Sequence, residues 1–125
     1  MQVLNSRAAE LTSEFGMMTG RWSQYSELTG LPFDAMWCVV PPGGRGNTDC
    51  HPERELVVVV QGTLHLQASG REEVVHAGSA ALLDSSEKHV YVNPSEQDTL
   101  VALSIYWLPD DGGDQTASAA ARTDQ

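Results

Sequence analysis

From residue 21 the pattern of apolar and polar positions is that of β-strands. Phe33–Val40 is rich in aromatic and branched residues and stops at Pro41-Pro42-Gly43-Gly44. Glu55–Val60 is the next strand, ended by Gln61-Gly62, and Leu64–Ala68 follows at once, which predicts a hairpin turn over Gln61–Thr63. Ser69-Gly70 turns the chain into Glu73–His76. Ser79–Leu83, a polar loop at Asp84–Lys88 and His89–Val92 come next. Asn93-Pro94-Ser95 is a turn signal before a long final strand over Thr99–Leu108. Roughly eight short strands with turn signals every 8–12 residues predict an all-β sandwich or barrel, and nothing of helical period lies between them to make βαβ units.

Two stretches break this pattern. Residues 1–20 are mixed: Ser6 is a candidate cap for a short helix running to about Phe15, with Ala8, Ala9 and Leu11 as helix formers and Gly16 and Gly20 as interruptions. The segment reads as an N-terminal arm lying on the barrel or on a partner subunit. Leu56-Val57-Val58-Val59-Val60 is apolar on both faces, whereas a strand with one wet face alternates. Val57 and Val59, in phase with Glu55, would face the core. Leu56, Val58 and Val60 then need cover, which either the N-terminal arm or a second subunit supplies, and a homodimer is the expectation.

The chain has 125 residues, the size of one domain with one core: arm 1–20, barrel 21–109 and a flexible acidic tail 110–125. No apolar run approaches bilayer length and no signal-peptide pattern opens the chain, so a cytoplasmic location is expected. Seven basic against seventeen acidic residues give a formal charge of −10, which repels phosphate backbones and anionic lipid. Nucleic-acid and membrane partners are therefore disfavoured, while a small-molecule substrate is not, because a local metal or arginine can outweigh the global field. Cys38 and Cys50 make no zinc-type pattern and are expected to be reduced.

The candidate chemistry lies between Asp49 and His89. On an extended segment Asp49 and His51 share a face with Cα atoms about 6.6 Å apart, close enough to converge on one ion. Glu55 would be about 13 Å beyond His51 on a straight strand. Pro52 breaks a ladder, so a bend at His51-Pro52-Glu53-Arg54 lets Glu55 start a neighbouring strand and face the same point. His89 opens a later strand directly after a loop, at a place suited to the mouth of a barrel.

With these residues in place the sequence resembles the cupin superfamily. Its first motif, G-x5-H-x-H-x3-E-x6-G, is matched in spacing by Gly43, Asp49, His51, Glu55 and Gly62. Its second, G-x5-P-x-G-x2-H-x3-N, is matched by Gly78, Asp84, Ser86, His89 and Asn93. Asp49 replaces a histidine, while Asp84 and Ser86 replace a proline and a glycine with other turn-compatible residues. The resemblance implies a single-domain jelly-roll β-barrel with one divalent ion, Fe, Mn or Zn, held by Asp49, His51, Glu55 and His89. Two imidazoles and two carboxylates make a harder set than three histidines. They contain the two-histidine, one-carboxylate combination of non-haem iron.

Tyr91 is in phase with His89 and Asn93, so it either faces the cavity as a proton carrier beside Glu55 or is satisfied by a backbone carbonyl. Asn93 reads as a turn residue, His65 and His76 as surface histidines, and Gly44-Arg45-Gly46 as a turn with no helix behind it to bind phosphate. Met36, Cys38 and Val40 share one strand face and either line the pocket or pack the core; Trp22, Trp37 and Trp107 are anchors. The resemblance implies a metal-dependent enzyme acting on a small molecule, with an oxidoreductase of the dioxygenase kind as the first expectation. A non-redox isomerase, cyclase or lyase and a non-catalytic metabolite binder are the alternatives. The single lysine, Lys88, in an Ala- and Gly-rich chain suggests a GC-rich bacterial source and a place in specialised metabolism.

Overall fold

The computed structural model describes residues 1–110, and the expected tail lies almost wholly outside that range. Nine strands run in the order β1 Thr12–Glu14, β2 Met17–Arg21, β3 Asp34–Val40, β4 Arg54–Gln61, β5 Thr63–Ala68, β6 Arg71–His76, β7 Ala80–Leu83, β8 His89–Val92 and β9 Leu100–Trp107. A six-stranded antiparallel sheet, β1-β2-β3-β9-β4-β7, faces a three-stranded one, β6-β5-β8. Single bridges Arg45↔Val92 and Asp49↔His89 lay residues 45–49 along the free side of β8 and widen the smaller sheet.

Alternation decides what lies between the sheets. Glu55 pairs with Leu83 and Tyr106, and Val57 with Ala81 and Ser104, so these side chains point the same way. Val57 is fully buried and Val59 nearly so, as expected of the inner face of β4, and Cys38, Val40 and Leu100 are fully buried from β3 and β9. Asn93 earns its burial by a different route. Its side-chain amide donates to the carbonyls of Val40, Pro41 and Asp98 at 3.0, 3.2 and 2.8 Å and its Oδ1 accepts from Ser95 N–H at 3.1 Å, clamping the loop after β8 to the end of β3.

Three expectations are corrected. No helix runs from Ser6 to Phe15: a single 3-10 turn covers Ser6–Ala8, capped by Asn5 rather than Ser6, and Thr12–Glu14 is a strand. Isolated helices this short are marginal, and pairing of β1 with β2, which itself lies on β3, outweighs the propensity of the alanines. The boundary drawn at residue 20 accordingly falls inside β2. Phe15 and Gly16, with φ of 56° and 75°, form the two-residue turn between β1 and β2. Finally, β4 and β5 are not a hairpin. β4 pairs with β7 and β9, while β5 pairs with β6 and β8. An irregularity at Val59/Gln61 and Gly62, at φ 84°, carry the chain from one sheet to the other.

Candidate metal centre

The site joins the two sheets. Asp49 and His89 face each other across a bridge in which each donates its N–H to the other's carbonyl at 2.9 Å, so their side chains emerge side by side. Ser86 N–H donates to His51 O at 2.7 Å, tying the β7–β8 loop to the bend that carries His51. That bend ends at Glu53, and β4 brings Glu55 in from the larger sheet. One carboxylate oxygen, one imidazole nitrogen and another imidazole nitrogen, from Asp49, His51 and His89, lie within 4.8 Å of one another. That span is close to what one ion with bonds of about 2.0–2.2 Å requires.

The ring orientations are set from behind. His51 Nδ1 meets the carbonyl of Glu53 at 3.1 Å, and His89 Nδ1 that of Glu87 at 2.8 Å. Each Nδ1 therefore carries the proton, which leaves both Nε2 atoms aimed at the centre as the potential ligands. Asp49 is fixed in the same manner, its Oδ1 accepting from Cys50 N–H at 2.9 Å while Oδ2 lies 3.9 Å from His89 Nε2.

Glu55 is the hub. Its Oε1 lies 2.9 Å from His51 Nε2 and 3.5 Å from His89 Nε2, and its Oε2 accepts a short hydrogen bond from the Tyr91 hydroxyl. Burial raises the proton affinity of this carboxyl, but the hydrogen bonds from His51, His89 and Tyr91 prevail and hold it below the usual carboxylate range. The hydrogen bond to Glu55 lifts His51 from 6.5 to about 9 against the opposing effect of burial. Burial works against protonation of His89 too, yet the bonds to Glu55 and the Glu87 carbonyl raise it. Burial, then the charge of Glu55, pushes the Tyr91 phenol well up, so its proton stays in place at neutral pH.

This arrangement calls for a cation. A carboxylate that is 3% exposed has no lysine or arginine on it. A proton on His51 supplies the charge, and a divalent ion between the Nε2 atoms and Asp49 would supply it equally well. The donor set thus fits a metal. Inside the site lies a small cavity of about 10 Å³, between Glu55, His89 and Tyr91 on one side and Phe15, Met17 and Met36 on the other.

The four expected metal residues and Tyr91 are all brought together, with Asp49, His51 and His89 as the close trio and Glu55 bridging the histidines. Cys50 is exposed and donates to the Ser86 carbonyl at 3.4 Å, away from the centre. His65 pairs with Glu72 at 2.9 Å on the surface. Sequence reasoning missed three residues of the mouth: Arg21, Glu53 and Tyr106. Tyr106 was legible from its even-numbered register with Ser104, but Arg21 and Glu53 carried only the look of surface charge.

Comparison with known proteins agrees with this geometry. No curated protein matches the chain in sequence. Among solved structures, a Cupin 2 conserved barrel domain protein from Salinispora arenicola superposes with a TM-score of 0.76 at 24% identity, covering 100% of this chain and 98% of its own. A predicted oxalate decarboxylase from Thermotoga maritima gives 0.70 at 19% identity over 86% and 100%, and KdgF from Halomonas sp. 0.65 at 16% over 89% and 96%. At such identities the likeness is one of fold. The cupin domain model matches residues 36–106, more than half the chain and the stretch that carries all four candidate ligands. The chain belongs to the cupin family.

Proposed function

We propose that this protein is a metal-dependent enzyme acting on a small organic molecule, and that its leading activity is that of an oxygenase-type oxidoreductase. The observation that carries the proposal is the trio Asp49, His51 and His89, two imidazoles and one carboxylate with both Nδ1 atoms pinned to backbone carbonyls. This donor set is the one associated with non-haem iron and also suits manganese or zinc. An ion there would act as a Lewis acid and, if iron or manganese, as a redox centre. The chain's own residues bind and orient around it. Asp49 offers Oδ2, Glu55 stands ready as a fourth ligand or as a proton acceptor, and the Tyr91 hydroxyl keeps its proton and donates it in a hydrogen bond to Glu55 Oε2.

The Glu55–Tyr91 pair favours a second reading, a non-redox isomerase, cyclase or lyase in which protons move between substrate and Glu55. A non-catalytic metabolite binder is the third. Elemental analysis of wild type beside His51→Ala, His89→Ala and Asp49→Ala tests the metal. About one iron, manganese or zinc per chain is expected, lost in both histidine variants. Absence of metal after anaerobic reloading would sink the enzyme reading, and oxygen uptake by the loaded protein separates redox from non-redox chemistry.

The partner proposed is a second copy of this chain. Leu56, Val58 and Val60 form the outer face of β4 beside Leu82 of β7, and Val60 and Leu82 are each 51% exposed. No nucleic-acid or membrane partner is proposed, in keeping with the charge of −10; among the described residues no helix is long and apolar enough to cross a membrane.

A further inference from the structure

The mouth of the metal centre is a chamber of about 250 Å³. Strand register fixes which side chains form its floor. Tyr106 on β9 pairs with Asp34 on β3 and with Glu55 on β4, while Arg21 on β2 pairs with Met36 on β3, which pairs with Ser104 on β9. Directly paired residues point to the same side of a sheet, as do residues two apart along a strand. Arg21, Met36 and Tyr106 therefore stand on the face that carries Glu55, and all four line the chamber.

β2 and β9 are not neighbours, because β3 lies between them. Arg21 Nη1 nonetheless donates to the Tyr106 hydroxyl oxygen at 2.8 Å. A bond joining side chains of these two strands on the inner face passes over β3, above Met36, which puts the hydroxyl in the mouth. Arg21 is held from behind. Its Nε and Nη2 donate to the Glu14 carboxylate at 3.2 and 3.1 Å, and the buried Thr19 hydroxyl donates to the same carboxylate at 2.6 Å.

The donors of the mouth are spent, with one exception. The Cys50 thiol donates to the Ser86 carbonyl, and the two nitrogens of His51 face the Glu53 carbonyl and Glu55 Oε1. Tyr106, having accepted from Arg21, keeps its own O–H proton, and among the described residues no group accepts it. Burial, against the charge of Arg21, raises the phenol, so that proton is present at neutral pH. Arg21 commits three of its five N–H donors to Glu14 and Tyr106, and the other two also offer donation alone. A donor pinned over the mouth selects an oxygen acceptor. Charge selects the kind: Glu14 matches Arg21, and Asp49, Glu53 and Glu55 outnumber the cations that His51 and His89 supply, which disfavours an anion.

We infer that Tyr106 is a substrate-binding residue of this site, its hydroxyl donating to an uncharged carbonyl oxygen of a small molecule whose apolar body lies on Phe15, Met36 and Pro52. Arg21 is its positioning residue: by occupying an oxygen lone pair it fixes the hydroxyl above Met36 and leaves the proton for the ligand. Only the orientation of the rest of the molecule toward Asp49, His51 and His89 rests on the metal reading; the Tyr106 contact does not.

Two probes with one shared body test it: cyclohexanone, isotopically labelled at its carbonyl carbon, and cyclohexanecarboxylate, each titrated at neutral pH into the chelator-treated full chain and followed by NMR. The ketone should shift the backbone amides around Arg21, Met36 and Tyr106. The acid should bind about fivefold more weakly, the effect of one like charge at close range in water. Tyr106→Phe keeps the ring and removes the proton. It should weaken the ketone about threefold to tenfold, the worth of one neutral hydrogen bond. The bound carbonyl-carbon resonance should also move upfield in this variant, because that carbon is deshielded when its oxygen accepts a hydrogen bond. Arg21→Met should weaken the ketone as well, and the double variant no further than Tyr106→Phe alone, since Arg21 acts through the hydroxyl. A ketone that perturbs no mouth amide, an acid that binds as tightly as the ketone, or a bound carbonyl resonance unchanged in Tyr106→Phe would each overturn the inference; additive losses in the double variant would overturn the part given to Arg21. Separate wild-type samples, reloaded with zinc and freed of excess, are assayed for zinc by elemental analysis, which keeps two failures apart. Bound zinc without a Tyr106-dependent ketone contact refutes the contact alone, and such a contact in a chain that retains no zinc refutes the metal reading alone.

Discussion

Removing metal should make the stability of the fold fall with rising pH through the neutral range, because His51 then carries the cation that Glu55 needs. A group whose folded proton affinity is raised stabilises fully below its unfolded value and loses that contribution as pH climbs through the folded one. For His51 the interval runs from 6.5 to about 9. At about 1.4 kcal/mol per tenfold change the shift corresponds to about 3 kcal/mol, and screening at a side chain 20% exposed reduces this to about 2 kcal/mol. His89, also raised, acts in the same sense. Glu55, held below its ordinary 4.5, contributes above that value and loses its effect as the solution is acidified. The metal-free protein should therefore be most stable between about pH 4.5 and 6.5. Urea titrations of chelator-treated protein at pH 6.5 and 9 are expected to differ by about 2 kcal/mol with an unchanged slope, and His51→Gln should remove most of the difference. The buried Cys38 thiol adds a loss of its own only where free thiols ionise, and it remains in the His51→Gln control. With metal added the dependence should reverse, since ligation takes neutral imidazoles and releases protons. A metal-free stability that is flat from pH 6.5 to 9 would refute the His51–Glu55 account.

Other expectations follow from single contacts. Asn93→Ala strands three backbone carbonyls and one N–H in a residue 2% exposed, and should cost about 2–4 kcal/mol by chemical denaturation while leaving metal stoichiometry unchanged. Gly62→Ala places a Cβ 3.0 Å from the Thr99 carbonyl at a φ of 84°, so a loss of about 1–3 kcal/mol is expected in the same assay. If the proposed dimer forms, Leu82→Asp, on the outer face of β7, should shift it to monomer in sedimentation velocity; a monomeric wild type at micromolar concentration would remove the proposal.

The strands of the barrel were legible because turn residues and branched residues mark them locally. His89–Val92 coincides with β8, and the ends of β3, β4 and β9 shift by one residue. The clustering of the candidate metal residues was legible for a related reason. Pro52 forces a bend between His51 and Glu55, and the two-residue step from Asp49 to His51 puts both on one face. What local signals do not carry is pairing. Gln61-Gly62-Thr63 reads as a hairpin turn, yet both flanks of β4 are taken by β7 and β9, and the glycine serves as a crossing between sheets. Thr12–Arg21 lost its strand character behind alanines and a Phe-Gly turn, and with it went the placement of Arg21. Glu53 looked like one more surface acid. It lines one hollow with Phe33, Asp34 and Tyr106, residues distant in sequence that only the assembled fold brings to it.

The aspartate at position 49 stands where the family spacing has histidine, and the surrounding bonds give it a definite role. A histidine ligand needs its far nitrogen satisfied, as His51 and His89 are by the carbonyls of Glu53 and Glu87. Asp49 is oriented by a shorter device, its own neighbour's N–H on Oδ1, leaving Oδ2 for the centre. Because its backbone is bonded in both directions to His89, the carboxylate and the His89 imidazole form one rigid unit on the smaller sheet. His51 and Glu55 come from the bend and from the larger sheet. An ion at this point would therefore bind across the seam between the sheets, with Asp49 adding negative charge that favours harder ions over copper. Substitution of Asp49 by histidine would keep the seam but lose the Cys50 N–H anchor, so as a ligand Asp49 would be oriented by a device different from that of the histidine the family spacing has there.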